Sequence, residues 1–418
     1  MADTAITGAR PVFDPDHQWP RWPISDERDE QRVLTAMRGS HWGIGSPEVA
    51  AFAREFADYS GAAHALPVGT GTAALALSMR VLGVAAGDEV IVPAYTFIAS
   101  ATCALELGAT VLFADIDPET YNIAPASVAA LISDRTRAVI AVHFAGNPCD
   151  MDGLRQVIGE RDIAIVEDAA HAHGMRWRGR HAGTIGVTGC FSFQTSKNMT
   201  SGEGGMFTTN DPDLYALAES FHSFGRRPGS AWYDHYTLAW NHRLSGIQAA
   251  ILSGQLERLE AQTAHRFATG NSLNRALATI AGMTPQRDGD THAETRRAYH
   301  LYMWRYDAAA VGLDRATFIE ALNAEGVPAV AGYSKTLQDN PMFTERRYWP
   351  HHRFGGTEPQ ADEPDYTAMA TPVASQYCDE SIWLTQNILL APQADIDKIA
   401  EAVDRVVTHA ATIRDRRG

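Results

Sequence analysis

This sequence predicts an α/β fold: a large, mostly parallel seven-stranded sheet covered by helices, followed by a smaller C-terminal α/β unit. Three observations carry that expectation. Short β-branched or aromatic runs alternate with helix-like stretches from about residue 25 to residue 210. A long helical pattern starts at Ser245, and beyond about residue 260 the rhythm changes. The chain has 418 residues, 45% hydrophobic and 20% charged, enough to bury a large core without staples.

The first 25 residues, rich in Pro and Trp, read as an N-terminal arm. Strands are expected at 64–68, 89–95, 110–116, 138–144, 163–168, 189–193 and 205–209, several bounded by Gly, Pro or Asp. Helix candidates at 72–83 and 97–108 lie between the early ones, and this βαβα order demands a parallel sheet. Asn210 and Asp211 cap a further helix that has Pro212 in its first turn. The helix from Ser245 carries Ile247, Ile251, Leu256 and Leu259 on an apolar face. A strand at 300–307 and helices at 316–326 and 396–413 make the smaller unit. The expected domains are 26–258 and 259–418, with 336–367 an irregular loop rich in Pro, His, Gly and acids.

The formal charge is −15, with Lys and Arg scattered, so no nucleic-acid footprint forms. Cys103, Cys149, Cys190 and Cys378 lie far apart, which argues against a zinc ribbon and a disulfide scaffold and fits a reducing cytosol. The N-terminus lacks the apolar core of a signal peptide, and no apolar run approaches the roughly 20 residues of a membrane helix. The expectation is a soluble cytoplasmic protein with no nucleic-acid or membrane partner.

Four local signals bear on chemistry. Lys197, in SFQTSKNMTSGEGG (192–205), follows a hydrophobic strand and precedes Ser, Thr and Gly, where a neutral amine can reach an aldehyde. The bland alternative is a surface lysine in a flexible loop. Asp168 ends the strand of IVEDAAHAHG (165–174), where carboxylates line the crevice of an open α/β sheet. Asp168, His171 and His173 can alternatively ligate a metal, or the histidines can simply pack a loop, but zinc needs a further convergent ligand. Gly69, Gly71 and Ala74 formally match the dinucleotide fingerprint, yet the next strand lacks the acid that grips a ribose. A helix starting near Thr72, its free amides binding one phosphate, is the better reading. Tyr95 or Phe97 offers a flat surface for a planar group. A phosphate loop, an aromatic ring, a strand-end Asp and a Lys, in that order, suit pyridoxal 5'-phosphate.

The segments GTAALAL, EVIVPAYTF, VEDAAHAHG, SFQTSKNMTSGEGG and NHRLSGIQAAIL resemble the DegT/DnrJ/StrS family of pyridoxal phosphate-dependent sugar aminotransferases. The resemblance runs from about Trp19 to the C-terminal helix. It implies the fold-type I architecture, with 26–258 as the cofactor-binding domain, and a homodimer with shared active sites. Lys197 would form the internal aldimine, Asp168 pair with the pyridine nitrogen, and Phe97 stack on the ring. Amides of Gly71, Thr72 and Ala73, with the Ser192 hydroxyl, would hold the phosphate. Asn241 would reach the phosphate in the neighbouring subunit. His171 stands where many members carry Gln against the ring hydroxyl, and its charge is expected to be pH-sensitive. DAAHAHG and FSFQ look more like the branch of 3-amino-5-hydroxybenzoate synthases and aminocyclitol aminotransferases. The implied reaction is transamination of a keto-sugar or keto-cyclitol, with glutamate or glutamine as donor. The alternative is a dehydrating, aromatising enzyme of the aminohydroxybenzoate type, with Arg243 or Arg226 and Arg227 as a carboxylate clamp.

Overall fold

The seven expected strands form one sheet in the computed structural model, which describes residues 4–347 and 364–417. They are β1 (His64–Val68), β2 (Glu89–Pro93), β3 (Thr110–Ala114), β4 (Thr136–Val142), β5 (Ala164–Asp168), β6 (Thr188–Ser192) and β7 (Gly205–Thr209). Their spatial order is β1-β7-β6-β5-β4-β2-β3. Only β7 runs antiparallel to its neighbours; the other pairings are parallel. Strands covered on both faces need continuous apolar sequence, and every residue of β2 is buried. It stops at Pro93, two residues before the expected end.

The helices of this part are α1 (Glu27–Arg38), α2 (Pro47–Ser60), α3 (Gly71–Val81), α4 (Ala99–Leu105), α5 (Pro125–Leu131), α6 (Met151–Ile158), α7 (Pro212–His222) and α8 (Gly246–Leu277). One core holds Leu75, Leu77 and Cys103 from α3 and α4; the opposite face holds Phe52, Phe56 and Leu154 from α2 and α6. Truncating such a residue, for example Leu154→Ala, costs about 2–5 kcal/mol. Helices α1 and α2 were not expected, although their caps are legible: Asp26 pairs with Asp29 in a capping box, and Ser46 precedes Pro47.

Ser245 caps α8 through a box with Gln248. Ala249, Leu252 and Leu259 of α8 belong to a large-sheet core, whereas Leu273 and Leu277 belong to a third core. The division expected between 258 and 259 therefore falls inside one continuous helix. The third core surrounds an antiparallel sheet of β8 (Met283–Pro285), β9 (Leu301–Tyr306), β10 (Val330–Ala331) and β11 (Ser381–Thr385), ordered β8-β9-β11-β10. Trp304, Phe318, Ile399 and Val403 fill it. The closing helix breaks at His409 into Gln393–Thr408 and Ala410–Arg417.

The N-terminal arm is built into both parts. Phe13 lies in the third core, and the Ala5 and Val12 amides donate to the Glu325 carboxylate. Further on, Trp22 Nε1 donates to the Thr195 carbonyl and the Ile24 carbonyl accepts from Gln255. Of the segment expected as a loop, residues 348–363 lie outside the described residues. Its described flanks are pinned: Leu337, Phe343 and Tyr366 are buried against a large-sheet core.

Candidate active site

The carboxyl ends of β5 and β6 and the start of α3 meet in one crevice, where strand order places ligands in open α/β sheets. Glu167 and Asp168, adjacent at the end of β5, do different work. The buried Glu167 accepts from His143 Nε2 at 2.9 Å and from the amides of Gly183, Ile185 and Gly186 at 2.9, 2.6 and 2.6 Å. Burial pushes its pKa up, but His143 and the amides outweigh that and hold it below the ordinary value. Its carboxylate ties the 183–186 turn to the strand.

Asp168 faces the crevice. Its Oδ2 accepts from the Ser100 hydroxyl at 2.7 Å and its Oδ1 from the Ala170 amide at 3.1 Å. Burial raises its pKa, and these bonds and the charge of Lys197 offset that only in part. Lys197 shows the converse: burial lowers its pKa to about 8, opposed by Asp168. Among the described residues its ammonium has no hydrogen-bond or ion-pair partner. A buried acid pushed up and an amine pushed down, close enough to feel each other, make this crevice the candidate reactive site.

Thr70 caps α3, and its hydroxyl accepts from the Ala73 amide at 3.0 Å. Ala73 therefore already has a partner, a departure from the three free amides expected; Gly71 and Thr72 remain. A Cβ on Gly71 would stand 2.6 Å from Ser192 Cβ, and one on Gly205 would strike the Thr70 carbonyl and come within 2.7 Å of the Gly71 nitrogen. Side chains at either glycine would fill this cradle. Ser192, Gly71 and the GEGG glycine Gly205 are thus brought together from three distant segments.

Phe97 is exposed at 58%, one turn from Ser100, as a ring awaiting a planar partner would be. Asn241 is exposed, beside the end of β1: Gly69 donates to the His242 carbonyl. Asn241 Oδ1 accepts from the Arg243 amide at 3.2 Å, while its NH₂ has no partner among the described residues.

His171 and His173 are both buried. His173 packs on Phe191 and Phe193, the bland reading of that residue. His171 Nδ1 accepts from the Ala145 amide at 3.3 Å. Burial, with the charge of Lys197 nearby, drives its pKa well below the ordinary value, which favours the neutral ring. Sequence reasoning missed Ser100, Asn198 and His300. Asn198 follows Lys197 directly, but His300 carried no signal beyond its place at the head of a strand.

Among the described residues no three His, Cys, Asp or Glu side chains are grouped to hold a metal, and no helix is long and apolar enough to cross a membrane. A sequence profile of the DegT/DnrJ/EryC1/StrS aminotransferases matches residues 23–404. The chain belongs to this family. It is 35% identical over 396 residues to 3-amino-5-hydroxybenzoate synthase of Amycolatopsis mediterranei, covering 94% of this chain and 98% of that protein. It is also 35% identical over 429 residues to L-glutamine:2-deoxy-scyllo-inosose aminotransferase of Streptoalloteichus tenebrarius, covering 98% and 99%. The crystal structure of a 3-amino-5-hydroxybenzoic acid synthase superposes with a TM-score of 0.84 at 36% identity, over 94% of this chain and 99% of that one. The family member is an aminotransferase of fold type I, with its large mostly parallel sheet.

Proposed function

We propose that this enzyme moves an amino group from glutamine or glutamate to a keto-cyclitol or keto-sugar, with pyridoxal 5'-phosphate held in the crevice. What supports this is the Lys197–Asp168 pair at the strand ends, together with the cradle formed by Gly71, Ser192 and Gly205. The residues fit the group: two free amides at a helix start and a hydroxyl for the phosphate, an exposed ring for stacking, a buried carboxylate for the ring nitrogen, and an unpaired amine for the aldehyde. When bound, that cofactor supplies an aldehyde that takes up amines and a ring that withdraws electrons.

The chain's own residues do the rest. Asp168, kept in place by Ser100 and Ala170, holds a proton at the ring nitrogen. Lys197, with a pKa of about 8, would take the proton from the donor's α-carbon as a base and deliver it, as an acid, to the carbon that was the aldehyde's. His171 donates from Nε2 to the ring oxygen, because its Nδ1 is already an acceptor. Asn241 donates to the phosphate in a second copy of the chain, making the working form a homodimer. Support for the second copy is the solvent-facing surface of Trp232, Tyr233 and Leu238, close in sequence to Asn241. The four cysteines are free and buried, which suits a reducing cytoplasm.

The relative named for 2-deoxy-scyllo-inosose supports a keto-cyclitol acceptor, and we place the reaction in aminocyclitol natural-product biosynthesis. A second reading, aromatisation of an aminohydroxybenzoate precursor, is favoured by Arg226 and Arg243. Both lie over the Phe224 ring, at 5.8 and 5.2 Å, and neither has a carboxylate partner among the described residues. The test loads the protein with pyridoxamine phosphate and offers keto-cyclitols, nucleotide keto-sugars and keto-carboxylic acids. Return of the aldehyde absorbance with a keto-cyclitol supports the first reading. A response to cyclic keto-carboxylic acids alone supports the second, and no response to any ketone rejects both.

A further inference from the structure

Behind the crevice two buried imidazoles lie against each other. The rings of His171 and His300 have centroids 4.2 Å apart and planes tilted by 34°. One residue serves both: the Ala145 amide donates to His171 Nδ1 at 3.3 Å, and the Ala145 carbonyl accepts from the His300 amide at 2.9 Å. Ala145 holds φ at 56°, left-handed backbone that a non-glycine residue rarely adopts, and the following Gly146 has φ 80°. A Cβ at Gly146 would stand 2.8 Å from the His171 carbonyl and 2.9 Å from the Tyr299 nitrogen. Such strained turns persist where the surroundings over-determine them, and they cluster at active sites.

The hydrogen bonds settle where each proton sits. His171 Nδ1 is an acceptor, so the neutral ring carries its proton on Nε2. Asn198 Nδ2 donates to the Ala298 carbonyl at 2.9 Å, which turns Asn198 Oδ1 toward His300 Nδ1, 3.2 Å away. His300 therefore carries its proton on Nδ1. The two rings are held in opposite tautomers. Neither Nε2 is among the buried atoms left without a partner, and neither bonds to a described residue. Both therefore retain accessible surface. Burial also pushes both rings well below the ordinary histidine pKa, which keeps two imidazoliums from forming face to face.

We propose that His300 is a positioning residue: stacked on His171 and anchored by Asn198, it fixes the plane in which His171, its tautomer set by the Ala145 amide, presents Nε2–H to the cofactor's ring oxygen. This rests on the reading that the cofactor ring lies beside His171. The stack explains how a flat, two-faced side chain does at position 171 what a flexible amide would do without such support. Asn198, next to the reactive lysine, ties the same ring to the lysine turn.

The test uses holoenzyme reconstituted with pyridoxal phosphate and labelled with ¹⁵N-histidine. The expected spectrum shows His171 protonated on Nε2 and His300 on Nδ1; protonation of His171 on Nδ1 would overturn the proposal. His300→Ala is expected to shift the absorbance band of the bound cofactor in the direction that His171→Ala does. It is also expected to slow the donor half-reaction roughly tenfold, leaving donor KM within about twofold. His300→Phe keeps a ring in the stack and is expected to restore the rate to within about threefold. An unchanged band and rate in His300→Ala, or a folded His300→Phe whose rate is down about tenfold, sinks the positioning role. Should His300→Ala fail to fold, the nitrogen spectrum of the unmodified protein and His300→Phe decide. His171→Ala with an unaltered band would instead reject the placement of the cofactor, whatever His300 does.

Discussion

The crevice around Asp168 and the segment 224–243 are both rich in rings and charged groups, yet they differ in how those groups are satisfied. In the crevice Glu167 accepts four hydrogen bonds, Asp168 two, and both stacked histidines have a fixed partner. In the other segment Arg226 lies over Trp232, Arg227 over Tyr236 and Arg243 over Phe224, with no carboxylate taken among the described residues. Tyr233 and Leu238 are 83% and 74% exposed. A buried polar network has to be completed by its own chain, because an unpaired group there costs its full desolvation. An exposed surface of aromatics and arginines is completed by something else. The polar network of the crevice is thus closed within one chain, whereas the exposed segment is the surface that the proposed second copy would cover.

The largest effect should come from inside the crevice. Lys197→Ala should keep the fold and lower transamination by about a thousandfold or more, and borohydride should fix the cofactor on Lys197 in the parent protein. Peptide mapping that finds the label on another lysine would remove the site. Next, Asp168→Asn keeps size and some hydrogen bonding but loses the charge that retains the ring proton. We expect a barrier higher by about 3 kcal/mol, roughly a hundredfold in rate. Near-normal turnover would take Asp168 out of the chemistry.

The comparison itself is tested by mixing inactive Lys197→Ala with Asn241→Ala, which we expect to retain cofactor about tenfold less well and so to be inactive at a limiting cofactor concentration chosen for the assay. Each heterodimer should then contain one site with both residues intact, and activity should return. Verified heterodimers that stay inactive would place Asn241 in its own chain's site. On the exposed segment, Leu238→Asp removes a side chain whose burial is worth about 1.5–3 kcal/mol, so the dimer should loosen about tenfold or more. Sedimentation at low concentration measures this; an unmoved equilibrium would mean that Leu238 faces solvent in the working protein.

The smallest effect concerns pH. Only the neutral amine of Lys197 captures an aldehyde, and its pKa of about 8 means that capture rises with pH and then levels. Between pH 7 and pH 9 the neutral fraction grows roughly tenfold and then saturates. Stopped-flow uptake of pyridoxal phosphate by the cofactor-free protein reads this directly. A rate still climbing steeply at pH 10 would show that the lysine is unperturbed.

How much of this was legible depends on how far apart the partners lie. The strands, the Ser245 cap and the strand-end position of Asp168 follow from residues a few places apart, because strand alternation, helix capping and turn chemistry are local. The likeness of whole segments pointed to Lys197 and its glycine-rich surroundings in the same way. The arm packed into the third core, the helix α8 shared by two cores and the occupied Ala73 amide were not legible. Neither were Ser100 on Asp168 and His300 on His171. Each joins segments far apart in the chain, or turns on which of two nearby acceptors an amide takes. No local pattern encodes those choices. They are settled when the sheet closes and every buried donor must find an acceptor in the space that packing leaves.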